Sequence, residues 1–117
     1  MVRCRLLNTF KHACQGLVHC FRLERNFRIH CLAAAAMMIL AWKLNFDRVE
    51  MMVLVIVIAG VFITEILNTA IEKTVDMITP EFDPLAKIIK DVAAGAVLVA
   101  AVASVAAGCM LIYGKLF

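Results

Sequence analysis

Two long apolar runs dominate the chain. The first, Met51–Thr64, carries no charge and passes without a turn signal into Glu65-Ile66-Leu67-Asn68-Thr69-Ala70-Ile71-Glu72-Lys73-Thr74-Val75-Asp76. The second, Val92–Gly114, holds twenty-three uncharged residues. As a helix it spans about 34 Å, enough to cross the roughly 30 Å hydrocarbon core of a bilayer with a modest tilt. A shorter run, Ile29–Trp42, covers about 21 Å as a helix. Arg28 and Lys43 can extend it by snorkelling, and Trp42 suits the membrane interface. The pattern predicts spans over about residues 27–44, 48–78 and 84–115. Residues 4–22 read differently. Leu6, Phe10, Cys14, Leu17 and Phe21 recur close to helical spacing among Asn8, Lys11, His12, Gln15 and His19, which predicts an amphipathic helix lying on the membrane surface. Asn45–Glu50 is a polar turn. Pro80 and Pro84 break the helical pattern, with Asp83 as N-cap and Pro84 at the first position of the last helix. Ala33–Ala36 and Ala94-Gly95 offer narrow surfaces for close helix contact. The fold class expected is all-α and integral to the membrane, one domain over residues 1–117.

Composition strengthens this picture. Of 117 residues, 64% are hydrophobic, against about half in an ordinary soluble domain. Three spans are too few to enclose a large cavity, so an oligomer is expected. Charge is uneven: residues 1–30 carry +5 and the remainder −2. A basic segment before the first span predicts a cytoplasmic N-terminus and suits anionic headgroups, with no nucleic acid as partner. That segment lacks the short apolar run of a cleavable signal. Cys4, Cys14, Cys20, Cys31 and Cys109 form no CxxC pair, and their odd number and scatter argue against a disulfide framework or a zinc site. They read as small apolar residues.

The chemistry lies where the first run meets its acids. At 100° per residue, Glu65, Asn68, Glu72 and Asp76 fall within about 80° of one another on one helical stripe. Carboxylates at membrane depth persist when they face protein, water or an ion, and a hard divalent cation takes oxygen ligands. Glu72 is one turn from Asn68 and from Asp76, and level with Glu24 at the start of the first span. Glu65 lies about 10 Å deeper along the helix. Glu24 with Glu72 can hold a divalent ion that also binds phosphates, and Lys90 can meet phosphates as a point charge. Against this, Glu24 can be a solvated surface charge, and Lys90 and Asp91 can pair with acids across helices. No GxxxxGK[ST] loop or protein-kinase signature is present. The residues alone leave three classes open: phosphate chemistry, a small transporter whose acids bind protons or cations, and a scaffold of paired charges.

Three motifs carry a resemblance. They are Glu24-Arg25-Asn26-Phe27-Arg28-Ile29-His30, then Glu65-Ile66-Leu67-Asn68-Thr69-Ala70-Ile71-Glu72 through Asp76, then Lys87-Ile88-Ile89-Lys90-Asp91-Val92-Ala93-Ala94-Gly95-Ala96-Val97-Leu98. In order and spacing, over nearly the whole chain, the sequence resembles the small prokaryotic diacylglycerol kinase family, whose Gram-positive members phosphorylate undecaprenol. The resemblance implies a homotrimer of three-span subunits in the bacterial cell membrane, with cytoplasmic sites shared between neighbouring subunits. It implies magnesium-dependent transfer of the ATP γ-phosphoryl to a lipid hydroxyl. By motif position, Glu65 would be the general base, with Asn68 positioning the base or substrate. Glu24 and Glu72 would hold magnesium, and Lys90 would contact phosphates with Asp91 nearby. Asp76, Glu81, Phe82 and Asp83 would border the nucleotide, and Arg5 and His12 would approach it from the surface helix. His12 departs from an aromatic residue common at its position. The Glu-Arg-Asn-x-Arg-Ile-His form of the first motif resembles the Gram-positive branch and favours undecaprenol over diacylglycerol.

Overall fold

A computed structural model describes residues 2–117, with side chains from Arg5 onward, so the expectation for Cys4 falls outside the described side chains. The described regular structure is helical: α1 (Val2–Leu23), α2 (Arg25–Lys43), α3 (Arg48–Ile78) and α4 (Pro84–Leu116). Of these, α3 and α4 are long and apolar enough to cross a membrane. The 19-residue α2 is about 28 Å long, and charged residues at both ends shorten its apolar run.

Each junction has a physical cause. Between α1 and α2 only Glu24 is extended, at φ −101° and ψ 111°. Arg28 stabilises this joint from the next helix: its Nη1 donates to the carbonyls of Phe21 at 3.1 Å and Arg22 at 2.8 Å. Those carbonyls belong to the last turn of α1, where helical partners run out. At the end of α2, Asn45 adopts a left-handed φ of 55°, which Asn tolerates better than most residues. Phe46 N–H then reaches Ala41 O and Asn45 N–H reaches Trp42 O, the doubly bonded helix ending that a left-handed residue permits. Helix α3 begins with a reciprocal cap. Glu50 N–H donates to Asp47 Oδ1 at 2.8 Å, and Asp47 N–H donates to Glu50 Oε1 at 3.0 Å. Asp83 Oδ1 accepts from Leu85 and Ala86 N–H groups and starts α4, with Pro84 in its first turn.

Helices α3 and α4 form a long antiparallel pair, and α2 packs on α3. The buried positions of α3, namely Leu54, Val61, Glu65, Thr69 and Val75, make one stripe. Those of α4 are all small, Ala86, Ala93 and Gly108, so the backbones can approach. A Cβ at Gly108 would meet Met37 Cε at 3.8 Å, whereas one at Gly95 would meet nothing within 4 Å. The close contact expected at Gly95 is therefore found at Gly108, because the inward face of α4 passes through Gly108. Of the run Ala33–Ala36 in α2, only Ala34 is half-buried and the others are exposed. Hydroxyls within the apolar helices bond to their own helix: Thr64 to Val61 O, Thr69 to Glu65 O and Ser104 to Ala101 O. That is how a hydroxyl is satisfied where water is excluded. Cys20 is buried, Cys31 half-buried, and Cys14 and Cys109 exposed, all as free thiols.

Candidate active site

The carboxylate stripe of α3 is organised by depth. Glu65 is the most deeply placed and is only 3% exposed. Burying a charge this way is costly without a partner. Its neighbour is His30 of α2, whose Nε2 stands 3.0 Å from Glu65 Oε1. The ring is not turned to aim an N–H along that line, so Oε1 has no aligned hydrogen bond. Phe27 and Phe62, with ring centroids 5.2 Å apart, pack α2 on α3 beside this pair. One turn further along α3, Asn68 Nδ2 donates to Glu72 Oε1 at 3.2 Å, while Asn68 Oδ1 is buried without a partner.

Cys20 of α1 rests against this region. Burial raises its thiol pKa, nearby Glu24 adds to the effect, a hydrogen bond with Thr69 opposes it, and Glu65 contributes weakly upward. Glu24 caps α2 by position, but its carboxylate makes no capping hydrogen bond. It is half-buried.

The remaining expected residues lie at the α3–α4 end. Lys90 forms an ion pair with Asp76 across the two helices, at 2.5 Å, and Lys87 pairs with Asp91 within α4 at 2.6 Å. With Thr79, Glu81, Phe82 and Asp83 these residues line one open, polar recess. Asp83 spends an oxygen on the α4 cap, and Phe82 is exposed. The structure thus brings Asp76, Glu81, Phe82, Asp83, Lys90 and Asp91 together, and groups Glu65, Asn68 and Glu72 along α3. Arg5 and His12 stay apart: both are exposed on α1, and His12 Nδ1 lies 3.3 Å from Gln15 Oε1. Among the described residues, neither pairs with α3 or α4, and no three of His, Cys, Asp and Glu cluster closely enough to hold a metal ion. A single chain supplies oxygen donors suited to a hard cation, but only part of a coordination sphere.

Sequence reasoning gave His30 and Thr69 no role. The signal for His30 was available, since an ionisable residue inside an apolar span is by default a candidate functional group. Its pairing with Glu65 depends on the register between α2 and α3, which periodicity does not provide. The sequence also did not reveal an apolar groove between α2, α3 and α4. Its walls include Ala34, Met37, Ile58, Phe62 and Gly108, with His30 on the wall beside Glu65.

Along α3 the buried acid lies between an apolar groove and an open polar recess. Comparison with known proteins adds a family. The model of the prokaryotic diacylglycerol kinase family matches residues 11–112. An undecaprenol kinase of Bacillus subtilis (strain 168) is 45% identical over 96% of this chain and 91% of its own length. A diacylglycerol kinase of Synechocystis sp. is 42% identical over 92% of this chain, which covers 62% of that relative. A diacylglycerol kinase of Escherichia coli (strain K12) is 31% identical over 93% of this chain and 89% of its own length.

Proposed function

The chain belongs to the prokaryotic diacylglycerol kinase family, and we propose that within it this protein transfers the γ-phosphoryl of ATP to the hydroxyl of undecaprenol. It is an ATP-dependent lipid kinase. The observation that carries the reading is Glu65, buried on α3 between the apolar groove and the polar recess. A lipid hydroxyl delivered from the bilayer and a nucleotide delivered from water can meet only at such a boundary. The 45% identical undecaprenol kinase and the Glu-Arg-Asn-x-Arg-Ile-His motif favour the polyprenol. Diacylglycerol is the second reading, supported by the relatives named for it.

In this reading Glu65 accepts the hydroxyl proton as the oxygen attacks the γ-phosphorus in line, and ADP leaves with the β–γ bridging oxygen. Asn68 holds Glu72, and its free Oδ1 is a further hydrogen-bond acceptor at the site. Glu24 and Glu72 would hold magnesium, which would supply charge neutralisation at the phosphates. Lys90 moves from Asp76 to the phosphates as a point charge, with Asp91 beside it. Asp76, Glu81, Phe82 and Asp83 border the nucleotide, and Arg5 and His12 reach it from α1. The protein works as a homotrimer in the bacterial cell membrane, with α2, α3 and α4 as three spans, α1 on the cytoplasmic surface, and the site on the same side. The incomplete oxygen set of one chain supports a site shared between subunits.

Purified protein in detergent tests this reading. Magnesium-dependent ADP release is expected on adding undecaprenol and slower release with diacylglycerol. Faster release with diacylglycerol transfers the assignment to the second reading. No release with either lipid overturns the kinase mechanism and returns the transporter and scaffold readings.

A further inference from the structure

We propose that His30 is a positioning residue for Glu65, and that its imidazole N–H holds the Glu65 carboxylate in the orientation that faces the lipid hydroxyl. The inference rests on Glu65 as the base.

Three observations converge on His30. Its Nε2 is 3.0 Å from Glu65 Oε1, closer than any other side-chain nitrogen recorded near that oxygen. Glu65 Oε1 is buried and otherwise lacks a hydrogen-bond donor, a condition that costs free energy unless a donor is supplied. Finally, His30 is only partly buried, with 27% of its side chain exposed, and it forms part of the wall of the apolar groove. It therefore touches both the base and the path of an apolar substrate. Among the other groups around Glu65, Thr69 gives its hydroxyl to the Glu65 backbone carbonyl and not to the carboxylate. Cys20 is a thiol and only a weak donor.

The chemistry follows from the tautomer. With hydrogen on Nε2, the imidazole donates to Oε1, and Oε2 keeps its lone pairs for the proton of the substrate. The ring must rotate slightly to align that bond. Hydrogen bonds of this kind are often misaligned before substrate binds and tighten in the complex. A ligand entering the groove presses on His30 and drives the rotation, so occupancy by the lipid and orientation of the base are linked. Histidine alone is not required: any residue of similar reach with an N–H donor serves.

Three substitutions test this. His30→Gln keeps a donor of similar reach, His30→Leu keeps volume without a donor, and His30→Ala removes both. In detergent with magnesium–ATP and undecaprenol, Leu and Ala are expected to lower kcat by about 10²-fold, the size of effect that a misplaced reacting group produces. Gln is expected to retain most of kcat, and KM for ATP to stay unchanged in all three. Normal kcat in His30→Leu overturns the inference, because packing alone would then suffice. Equal loss in Gln and Leu overturns it too, because the donor would not be what matters. Glu65→Gln is measured alongside. If it is inactive while His30→Leu is normal, only the positioning role falls. If Glu65→Gln is fully active, the base assignment falls and takes this inference with it.

Discussion

The two charged ends of the α3–α4 pair use the same residue types to opposite effect. At the Asp47 end both acids are committed. Asp47 and Glu50 cap each other's backbone, and Glu50 Oε1 also meets Lys115 Nζ at 2.8 Å, joining the start of α3 to the end of α4. At the other end the polar groups are only partly engaged. Asn68 Oδ1 and Glu65 Oε1 are buried without an aligned partner, Glu24 caps nothing with its side chain, and Lys90 is held by one exposed acid. Native structures satisfy nearly all buried polar groups, so the exceptions call for an explanation. One end ties the two helices together, and the other leaves buried oxygen atoms without an aligned partner, where the proposed site lies.

The sharpest way to break this contrast is Glu65→Gln. It is expected to abolish turnover, a loss of about 10²–10⁴-fold for a positioned base, while nucleotide binding persists. Lipid-dependent ADP release and magnesium–ATP binding, measured on the same sample, check both halves. Glu24→Ala and Glu72→Ala come next. Each is expected to weaken magnesium–ATP binding severalfold by removing a hard oxygen ligand. Trimers mixed from the two variants should regain activity if sites are shared between subunits. Continued inactivity in confirmed mixed trimers would place each site within one chain.

Smaller effects belong to the committed end. Lys115→Met is expected to lower stability by about 1 kcal/mol, the upper range for a partly exposed ion pair, and to leave kcat unchanged. Thermal unfolding in detergent and the kinase assay separate these outcomes. The smallest effect is acidic. The Glu50 backbone N–H, more than any other influence, holds the Asp47 carboxyl below its usual range. A lowered pKa in the folded state means that its contribution is complete above the unfolded value of about 4 and fades as pH falls through the folded value. Asp47→Asn should therefore flatten the acid limb of the unfolding curve, by slightly lowering stability at neutral pH and leaving it nearly unchanged below the folded value.

How much of this was legible depends on range. The helix-forming runs, the break at Pro80–Pro84 and the Asp83 cap are patterns local to one stretch of chain, and the chain spells them out. The stripe of Glu65, Asn68 and Glu72 was legible for the same reason, since one helix places them. The pairing of Lys90 with Asp76 was one of two options that the charges left open. The His30–Glu65 contact and the apolar groove were not legible, because both depend on how α2 is rotated against α3. The shift of the close contact from Gly95 to Gly108 has the same origin. Both glycines sit in α4, and only the tertiary register decides which one faces Met37.

The single extended residue at Glu24 has a mechanical consequence. Helix α1 is an arm of 22 residues, about 33 Å long, joined to α2 through one extended residue at a joint that Arg28 ties down. A rotation of 10° at that pivot sweeps its far tip through about 6 Å for an arm of this length. The residue at this joint is also the carboxylate proposed above to hold a cation, and it makes no capping hydrogen bond. Whatever fastens Glu24 therefore fixes the fulcrum of the arm, and a shift too small to notice at the site is magnified at Arg5.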